Sequence, residues 1–169
     1  MPFKNSNFRF INIGVESGSE RVRMQILKRN YSNQDIIYTV NLARKYGLEI
    51  CFYNLVGIPG ETVADFRETI MINRRCLPVW YYLSIFFPYP GTELYFFCKE
   101  KGLLKELPKV TMERKQAILN LPGFSKRQIQ RYYLLFDYYV YKGHKPLFKI
   151  LICILVRTLQ SNYLLNFFY

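Results

Sequence analysis

Apolar and polar positions along the first part of the chain follow a pattern that repeats three times. Each repeat begins with a short, nearly continuous apolar run, passes through a turn of glycine, proline and small polar residues, and ends in a segment with helical spacing. The apolar runs at 8–14, 48–56 and 80–87 are predicted strands. Such runs are typical of strands buried on both faces, as in parallel sheets covered by helices. Three successive strand–helix units therefore predict an α/β fold with right-handed crossovers.

The segments between the predicted strands carry signals for helix starts and stops. The hydroxyls of Ser32 and Thr62 can each cap the first turn of a helix, and Gly47 can end the helix that begins at Ser32. The predicted helical segments are 19–27, 32–46, 62–75 and 93–101.

Beyond about residue 104 the pattern becomes helical throughout. We predict a helix at 113–120, a long aromatic-rich helix at 126–143 capped by Ser125, and a last helix that begins at Pro146. A broad apolar stripe on the last helix needs a partner, which is either the rest of the protein or, alternatively, a membrane surface. The stripe consists of Leu147, Ile150, Leu151, Ile154, Leu155, Leu159, Tyr163 and Leu164.

Composition and charge restrict the class of protein. Half of the 169 residues are hydrophobic, which excludes simple disorder, and 24 Lys and Arg against 12 Asp and Glu give a net charge of +12. Residues 126–169 hold seven basic residues and a single acidic one, Asp137. Basic and aromatic residues together favour RNA, anionic lipid or an acidic partner surface, while a solvated basic side of a helical subdomain explains the charge equally well.

The cysteines and the apolar runs indicate the cellular compartment of the protein. The four cysteines have neither metal-ligand spacing nor a legible disulfide framework, so we expect reduced thiols in a cytoplasmic protein. The first ten residues lack the apolar stretch of a signal peptide. The longest apolar run, 150–156, is too short to span a membrane but compatible with a peripheral, interfacial contact.

Candidate chemistry is concentrated in the turns that follow the predicted strands, VESGS, GIPGET and PYPGT, where parallel α/β sheets bind ligands. Glu16 and Glu61 each follow a strand end and can accept hydrogen bonds from hydroxyl groups or an ammonium group. Glu61 can equally serve only to cap its helix. The single histidine, His144, lies in a turn, and no recognised catalytic or metal-binding motif is present, so no catalytic or metal-ligating residue is predicted.

Three segments, INIGVESGSERVRMQILKRNYS, LVGIPGETVADFRETI and LSIFFPYPGTELY, carry a family resemblance. In order and spacing, over about residues 5–104, they resemble the second half of a radical S-adenosylmethionine core domain. The branch that often carries an upstream cobalamin-binding domain is the most similar. The resemblance implies the fourth to sixth units of a partial (βα)6, TIM-like barrel at 1–104, followed by a basic, aromatic-rich helical extension at 105–169.

The resemblance also implies which residues bind S-adenosylmethionine. Glu16 falls where the family contacts the ribose or amino group, and Arg29 matches the arginine that pairs with the methionyl carboxylate. The turn at 57–60 would line the adenine. On the preceding strand Tyr53 stands where some relatives have an acidic residue. The full set of implied cofactor-binding residues is Glu16, Ser17, Arg29, Asn54, Gly57, Ile58, Gly60 and Pro88.

The family's Cys-x3-Cys-x2-Cys loop, which holds a four-iron, four-sulfur cluster, does not occur in this sequence. A parallel sheet of three strands also leaves an open edge. We therefore expect a missing N-terminal barrel half, or a partner chain, to supply the cluster, and an upstream domain to supply any cobalamin. Alone, the chain is expected to be inactive.

The complete enzyme would perform radical chemistry or methyl transfer on a substrate that the sequence does not specify. Two alternatives stay open. One is a non-catalytic binding module that uses the basic, aromatic C-terminal part on RNA or a membrane surface, with nucleic acid the less expected partner. The other is a degenerate split-gene product that folds only with its partner.

Overall fold

A computed structural model describes residues 8–104 and 113–161 of the chain. The elements alternate between strands and helices and then become helical. In chain order they are β1 (Phe10–Glu16), a π-helix (Val22–Ile26), α1 (Asn33–Lys45), β2 (Glu49–Val56), α2 (Val63–Cys76), β3 (Trp80–Ile85), α3 (Glu93–Glu100), α4 (Lys126–Leu134), α5 (Phe136–Tyr141) and α6 (Leu147–Ser161).

The strands form one open parallel sheet in the order β1–β2–β3. In the register between β1 and β2, Phe10 pairs with Glu49 and Gly14 with Tyr53, and an irregularity after Gly14 brings Glu16 opposite Asn54. The predicted α/β fold with three parallel strand–helix units and C-terminal helices is thus confirmed, and it is consistent with a partial barrel.

The chain divides into two compact units. Unit 1 comprises Met1–Asn54 and Ala64–Leu83, and unit 2 comprises Leu55–Val63 and Ser84–Tyr169. The domain boundary predicted between residues 104 and 105 adjoins a stretch outside the described residues, so it stays a prediction.

Unit 1 is built around the apolar stripe of α1. The Ser32 hydroxyl accepts from the Asp35 backbone N–H and the Asp35 carboxylate accepts from the Ser32 backbone N–H, a capping box that fixes the start of the helix. Gly47, with a φ of 72°, follows its end. The stripe packs on one face of β1 and β2 and on α2. The buried members of this core are Val15, Ile36, Val40, Ala43, Ile50, Phe52, Ile72 and Cys76.

In unit 2 the long helix predicted at 126–143 is wrong in one respect, because it is interrupted. Ser125 does cap α4 through a capping box with Gln128, as predicted from the sequence. Leu135, with φ −93° and ψ 10°, separates α4 from α5. At this break Arg157 of α6 donates a hydrogen bond to the carbonyl of Tyr133 and forms an ion pair of 3.0 Å with Asp137.

The helix predicted at 113–120 is also wrong, because turns occupy this segment. Arg114 has a φ of 64°, which an α-helix does not accommodate. The Arg114 carbonyl accepts a hydrogen bond from the Ile85 backbone N–H. The Gln130 side chain accepts from the Ala117 backbone N–H and donates to the Lys115 carbonyl. Contacts with other elements thus take the place of an internal helical ladder.

The last helix begins at Leu147, one residue after Pro146, as predicted. Two members of the predicted stripe, Tyr163 and Leu164, lie outside the described residues. Among the described residues, no helix is both long and apolar enough to cross a membrane.

Candidate functional site

The carboxyl end of β1 holds Glu16 in a conformation that L-residues rarely adopt. The ladder with β2 is irregular between Gly14 and Glu16, and Glu16 has a φ of 58°. A methyl group placed on Gly14 would lie 3.1 Å from Glu16 Oε1, so the carboxylate lies over the Gly14 backbone. Backbone in this region costs free energy, and residues that adopt it are enriched at functional sites.

The Glu16 carboxylate is half-buried, and burial raises its pKa above the usual value for glutamate. The nearby positive charge of Arg29 acts in the opposite direction and lowers the pKa in part. Within the described residues, no protein group donates a hydrogen bond to this carboxylate. Glu16 is therefore a partly desolvated acceptor that is available to a ligand.

Arg29 is exposed, and the chain holds it through its backbone, whose N–H donates to the Arg23 carbonyl at 2.8 Å. Within the same part of the chain its guanidinium makes no hydrogen bond or ion pair. Two other cations of this segment are engaged: Lys28 donates to the Gln25 carbonyl at 2.9 Å, and Arg21 pairs with Asp65 at 2.6 Å. These contacts favour Arg29 as the ligand-binding cation.

Arg23 connects the Glu16 loop with the Arg29 loop, and it was missed from the sequence. Its side chain is fully buried. The guanidinium donates to Ser17 O at 2.5 Å, Tyr31 O at 3.2 Å and Asn33 Oδ1 at 2.9 Å. It therefore links the residues after β1 to those before α1 and acts as a positioning residue for both.

Tyr31 reinforces this connection. Its hydroxyl donates to the Gly14 carbonyl at 2.6 Å, and the Arg23 guanidinium lies 5.0 Å from its ring centroid. Burial raises the pKa of the Tyr31 hydroxyl, so it stays a donor at neutral pH. The loop pair that presents Glu16 and Arg29 is thus fixed from both sides.

Polar groups also fasten the Glu16 loop to α2 within unit 1. The backbone N–H of Gly18 donates to Thr69 Oγ1 at 2.7 Å, and the Ser19 hydroxyl donates to Asp65 Oδ1 at 2.7 Å.

Two of the predicted site residues are engaged inside unit 1. Ser17 is buried and its hydroxyl accepts from the Ser19 backbone N–H at 3.2 Å. Asn54 is buried in a reciprocal amide pair with Asn73, with distances of 3.3 and 2.8 Å. These bonds give both residues a structural role, and their contacts with a cofactor stay predictions.

The other predicted residues lie in unit 2. Gly57 and Gly60 have φ values of 79° and 81°, which explains why the GIPGE turn contains glycine at both positions. The buried Glu61 carboxylate accepts from the backbone N–H groups of Gly57 at 2.7 Å and Ile58 at 3.3 Å. These contacts give Glu61 a structural role in the turn, which differs from the helix cap expected from the sequence, and its contact with a ligand stays a prediction. Pro88 is buried, and its role stays a prediction.

Comparison with known proteins gives the family. Residues 2–71 match the radical SAM superfamily. They include Glu16, Arg23 and Arg29, so the loops just described lie within the radical SAM part of the chain.

Curated relatives agree with this assignment. A tRNA-2-methylthio-N(6)-dimethylallyladenosine synthase of Chromobacterium violaceum is 33% identical over 84 residues, 48% of this chain and 19% of the relative. A threonylcarbamoyladenosine tRNA methylthiotransferase of Danio rerio is 31% identical over 103 residues, which are 60% of this chain and 17% of the relative. An uncharacterized methyltransferase of Pyrococcus horikoshii is 25% identical over 128 residues, which are 76% of this chain and 28% of the relative. The chain thus spans less than a third of the length of each of these relatives.

Radical SAM proteins use S-adenosylmethionine and a four-iron, four-sulfur cluster. The residues at the carboxyl end of β1 fit the amino-acid end of S-adenosylmethionine. That end carries an ammonium group, from which a half-buried carboxylate such as Glu16 can accept hydrogen bonds. It also carries a carboxylate, which matches the planar donors of Arg29. Within the described part of the chain, neither the Glu16 carboxylate nor the Arg29 guanidinium forms a hydrogen bond with another protein group.

The described residues do not fit the iron–sulfur cluster. Among them, no group of His, Cys, Asp and Glu is arranged to hold a metal ion. Cys51, Cys76 and Cys98 are buried, and burial raises the pKa of each thiol, that of Cys98 to about 11, which disfavours the thiolate that binds iron. No reaction step through a cluster is therefore assigned to this chain. The match to the family and the similarity to these relatives give no support for cobalamin, and that part of the resemblance stays unsupported.

Proposed function

We propose that this chain supplies part of the S-adenosylmethionine pocket of a radical SAM enzyme. The observation that carries the proposal is the pair of side chains at the carboxyl end of β1. The Glu16 carboxylate accepts hydrogen bonds from the ammonium group or from a ribose hydroxyl of the cofactor. The Arg29 guanidinium binds the methionyl carboxylate of the cofactor. Other parts of the complete enzyme hold the iron–sulfur cluster, so the chain alone is inactive.

The electrostatics of Glu16 support this role. Folding keeps a carboxylate half-buried without a hydrogen-bond donor among the described residues, although this raises its pKa and destabilises the charged form. It also keeps Glu16 in a left-handed backbone conformation. Costs of this kind are common where a residue is retained for binding, because its interaction with the ligand offsets them.

The turn of unit 2 contributes in a different way. We propose, from the family pattern, that Gly57, Ile58 and Gly60 line the adenine, and Glu61 fixes their turn through two hydrogen bonds. Pro88 would start a second lining loop.

The sheet supports a partner for unit 1. Within the described residues, strand β1 forms an edge of the sheet. Exposed aromatic side chains also contact each other across the strands, Phe10 with Trp80 at 5.3 Å and Tyr53 with Tyr82 at 5.0 Å between ring centroids. An unpaired edge beside an exposed aromatic face is a surface that a further barrel half would cover. We propose that this half carries the cysteine loop, either on a longer form of this chain or on a separate chain.

The reaction class follows from the family and the relatives. When bound beside a reduced cluster, S-adenosylmethionine supplies the radical or methyl chemistry. Two relatives are named as acting in methylthiolation of tRNA and one as a methyltransferase. We therefore propose transfer of a methyl or methylthio group as the reaction of the complete enzyme.

Equilibrium dialysis with S-adenosylmethionine tests the proposed pocket. We expect Arg29→Ala to weaken binding by about 10- to 100-fold, because charge-assisted hydrogen bonds to the methionyl carboxylate are lost. Lys28→Ala removes a neighbouring positive charge and is the matched control, with an affinity close to that of the wild type. Equal affinities of the Arg29→Ala and Lys28→Ala variants would contradict the proposal.

Glu16→Gln separates function from stability. Burial raises the folded-state pKa of Glu16, so the ionised form disfavours folding at neutral pH, and the glutamine variant should melt at the same or a higher temperature. The difference should shrink as the pH falls through the raised folded-state pKa and vanish below the ordinary glutamate pKa of the unfolded chain. Cofactor binding should weaken in the variant, and in the wild type it should decline over that same acidic range. A variant that binds normally, or that is less stable at neutral pH, would count against this role.

A further inference from the structure

Helix α6 of unit 2 exposes a large apolar surface. Seven of its large apolar side chains have between 44% and 61% of their surface accessible to solvent. We call them the α6 apolar face. They are Leu147, Phe148, Leu151, Ile152, Leu155, Val156 and Leu159.

The α6 apolar face is continuous. With 3.6 residues per turn, the seven positions occupy about half of the helix circumference along a length of about 20 Å, and no charged residue lies among them. The other side of α6 faces its own unit. Ile150 is buried there, and Arg157 bonds Tyr133 and Asp137. The apolar face is thus the side that α6 does not use to pack against α4 and α5.

Positive charge lies at the N-terminal end of this surface. Lys142 and Lys145 are exposed just before the first turn of α6, and Lys149 lies at the border of the α6 apolar face. Asp137 is the sole acidic residue between positions 126 and 161, and its carboxylate is paired with Arg157. The charge around the α6 apolar face is therefore complementary to an anionic partner.

We propose that the α6 apolar face binds the surface of a membrane that contains anionic lipids. Leucine, isoleucine, valine and phenylalanine enter the boundary between headgroups and acyl chains, while the three lysines contact lipid phosphates. A symmetric contact with a second copy would instead bring two sets of these lysines together. Single-stranded RNA is bound by aromatic side chains that stack on bases, and the α6 apolar face contains one aromatic residue. This membrane contact is additional to the proposed cofactor site.

Co-sedimentation of the 169-residue chain with vesicles tests this proposal. We expect binding to vesicles of phosphatidylglycerol and phosphatidylcholine, weaker binding at high salt, and little binding to phosphatidylcholine alone. The double variant Leu151→Gln/Leu155→Gln should reduce the partition coefficient by at least tenfold, since it removes two apolar side chains from the centre of the face. Lys145→Gln/Lys149→Gln should reduce it on anionic vesicles only.

The matched control is Tyr38→Gln/Met71→Gln, which removes two apolar side chains of unit 1 that are 68% and 67% exposed. This variant should bind vesicles as the wild type does. All variants change exposed positions, and unchanged thermal melting verifies their folding. The proposal is overturned if the wild type does not bind anionic vesicles, or if both double variants of apolar residues bind equally. It is also overturned if the leucine variant only dissociates a dimer, or if the α6 region binds tRNA and not lipid.

Discussion

Replacing Arg23 by alanine is expected to lower the free energy of unfolding by about 3–5 kcal/mol. The guanidinium is fully buried and donates to three acceptors, Ser17 O, Tyr31 O and Asn33 Oδ1. Alanine leaves these acceptors without the donor and leaves a cavity beside the Tyr31 ring. Chemical denaturation followed by circular dichroism measures the change.

Arg29→Ala is the matched control, because it truncates an exposed arginine six positions away. Its stability should stay within about 0.5 kcal/mol of the wild type, as for other surface substitutions. The two variants thus separate the roles assigned to the two arginines: Arg23 holds the loops, and Arg29 binds the ligand. If Arg23→Ala were as stable as Arg29→Ala, the loop connection described here would be wrong.

Gly18→Ala is expected to destabilise the chain by more than about 3 kcal/mol, for steric reasons. A methyl group at this position would lie 2.4 Å from backbone atoms of Glu68 and Thr69 in α2. Backbone cannot rotate away as a side chain can, so α2 must shift, and the hydrogen bond from Gly18 N to Thr69 Oγ1 is lost with it. The midpoint of thermal unfolding should fall accordingly.

Gly14→Ala is the comparison for this substitution. The added methyl would contact only the Glu16 side chain, which is flexible and can move. Its loss of stability should stay below about 1 kcal/mol, because reduced freedom of the unfolded chain offsets part of it. Similar losses in the two variants would refute the close approach of Gly18 to α2.

Much of the fold could be predicted because its signals are local. The capping residues Ser32 and Ser125 mark the starts of α1 and α4, Gly47 follows the end of α1, and the apolar runs mark the strands. Where the prediction of 113–120 and of one unbroken helix at 126–143 was wrong, contacts distant in sequence decide the structure. Arg157, more than twenty residues away from Tyr133, takes part in the break between α4 and α5.

The candidate site was only partly predictable for the same reason. Glu16 and Arg29 follow from their positions in the family pattern, but the sequence assigned no role to Arg23. A helical pattern suggests that an arginine at this position faces solvent. The π-helix Val22–Ile26, with its bond from Leu27 N to Val22 O, changes the direction of side chains relative to an α-helix and accommodates Arg23 in the interior. Such a change of helix type has no clear signature in sequence.

Amide chemical shifts test most directly whether the carboxyl end of β1 binds S-adenosylmethionine, because they detect even weak binding. In a ¹H–¹⁵N spectrum of the labelled chain, adding S-adenosylmethionine should shift the amides of residues 14–17 and 29–31, and Arg29→Ala should strongly reduce these shifts. The amides of α6 should not move. If the amides of 14–17 and 29–31 stay unchanged at the highest attainable cofactor concentration, or respond equally in Arg29→Ala, the account of this pocket is contradicted.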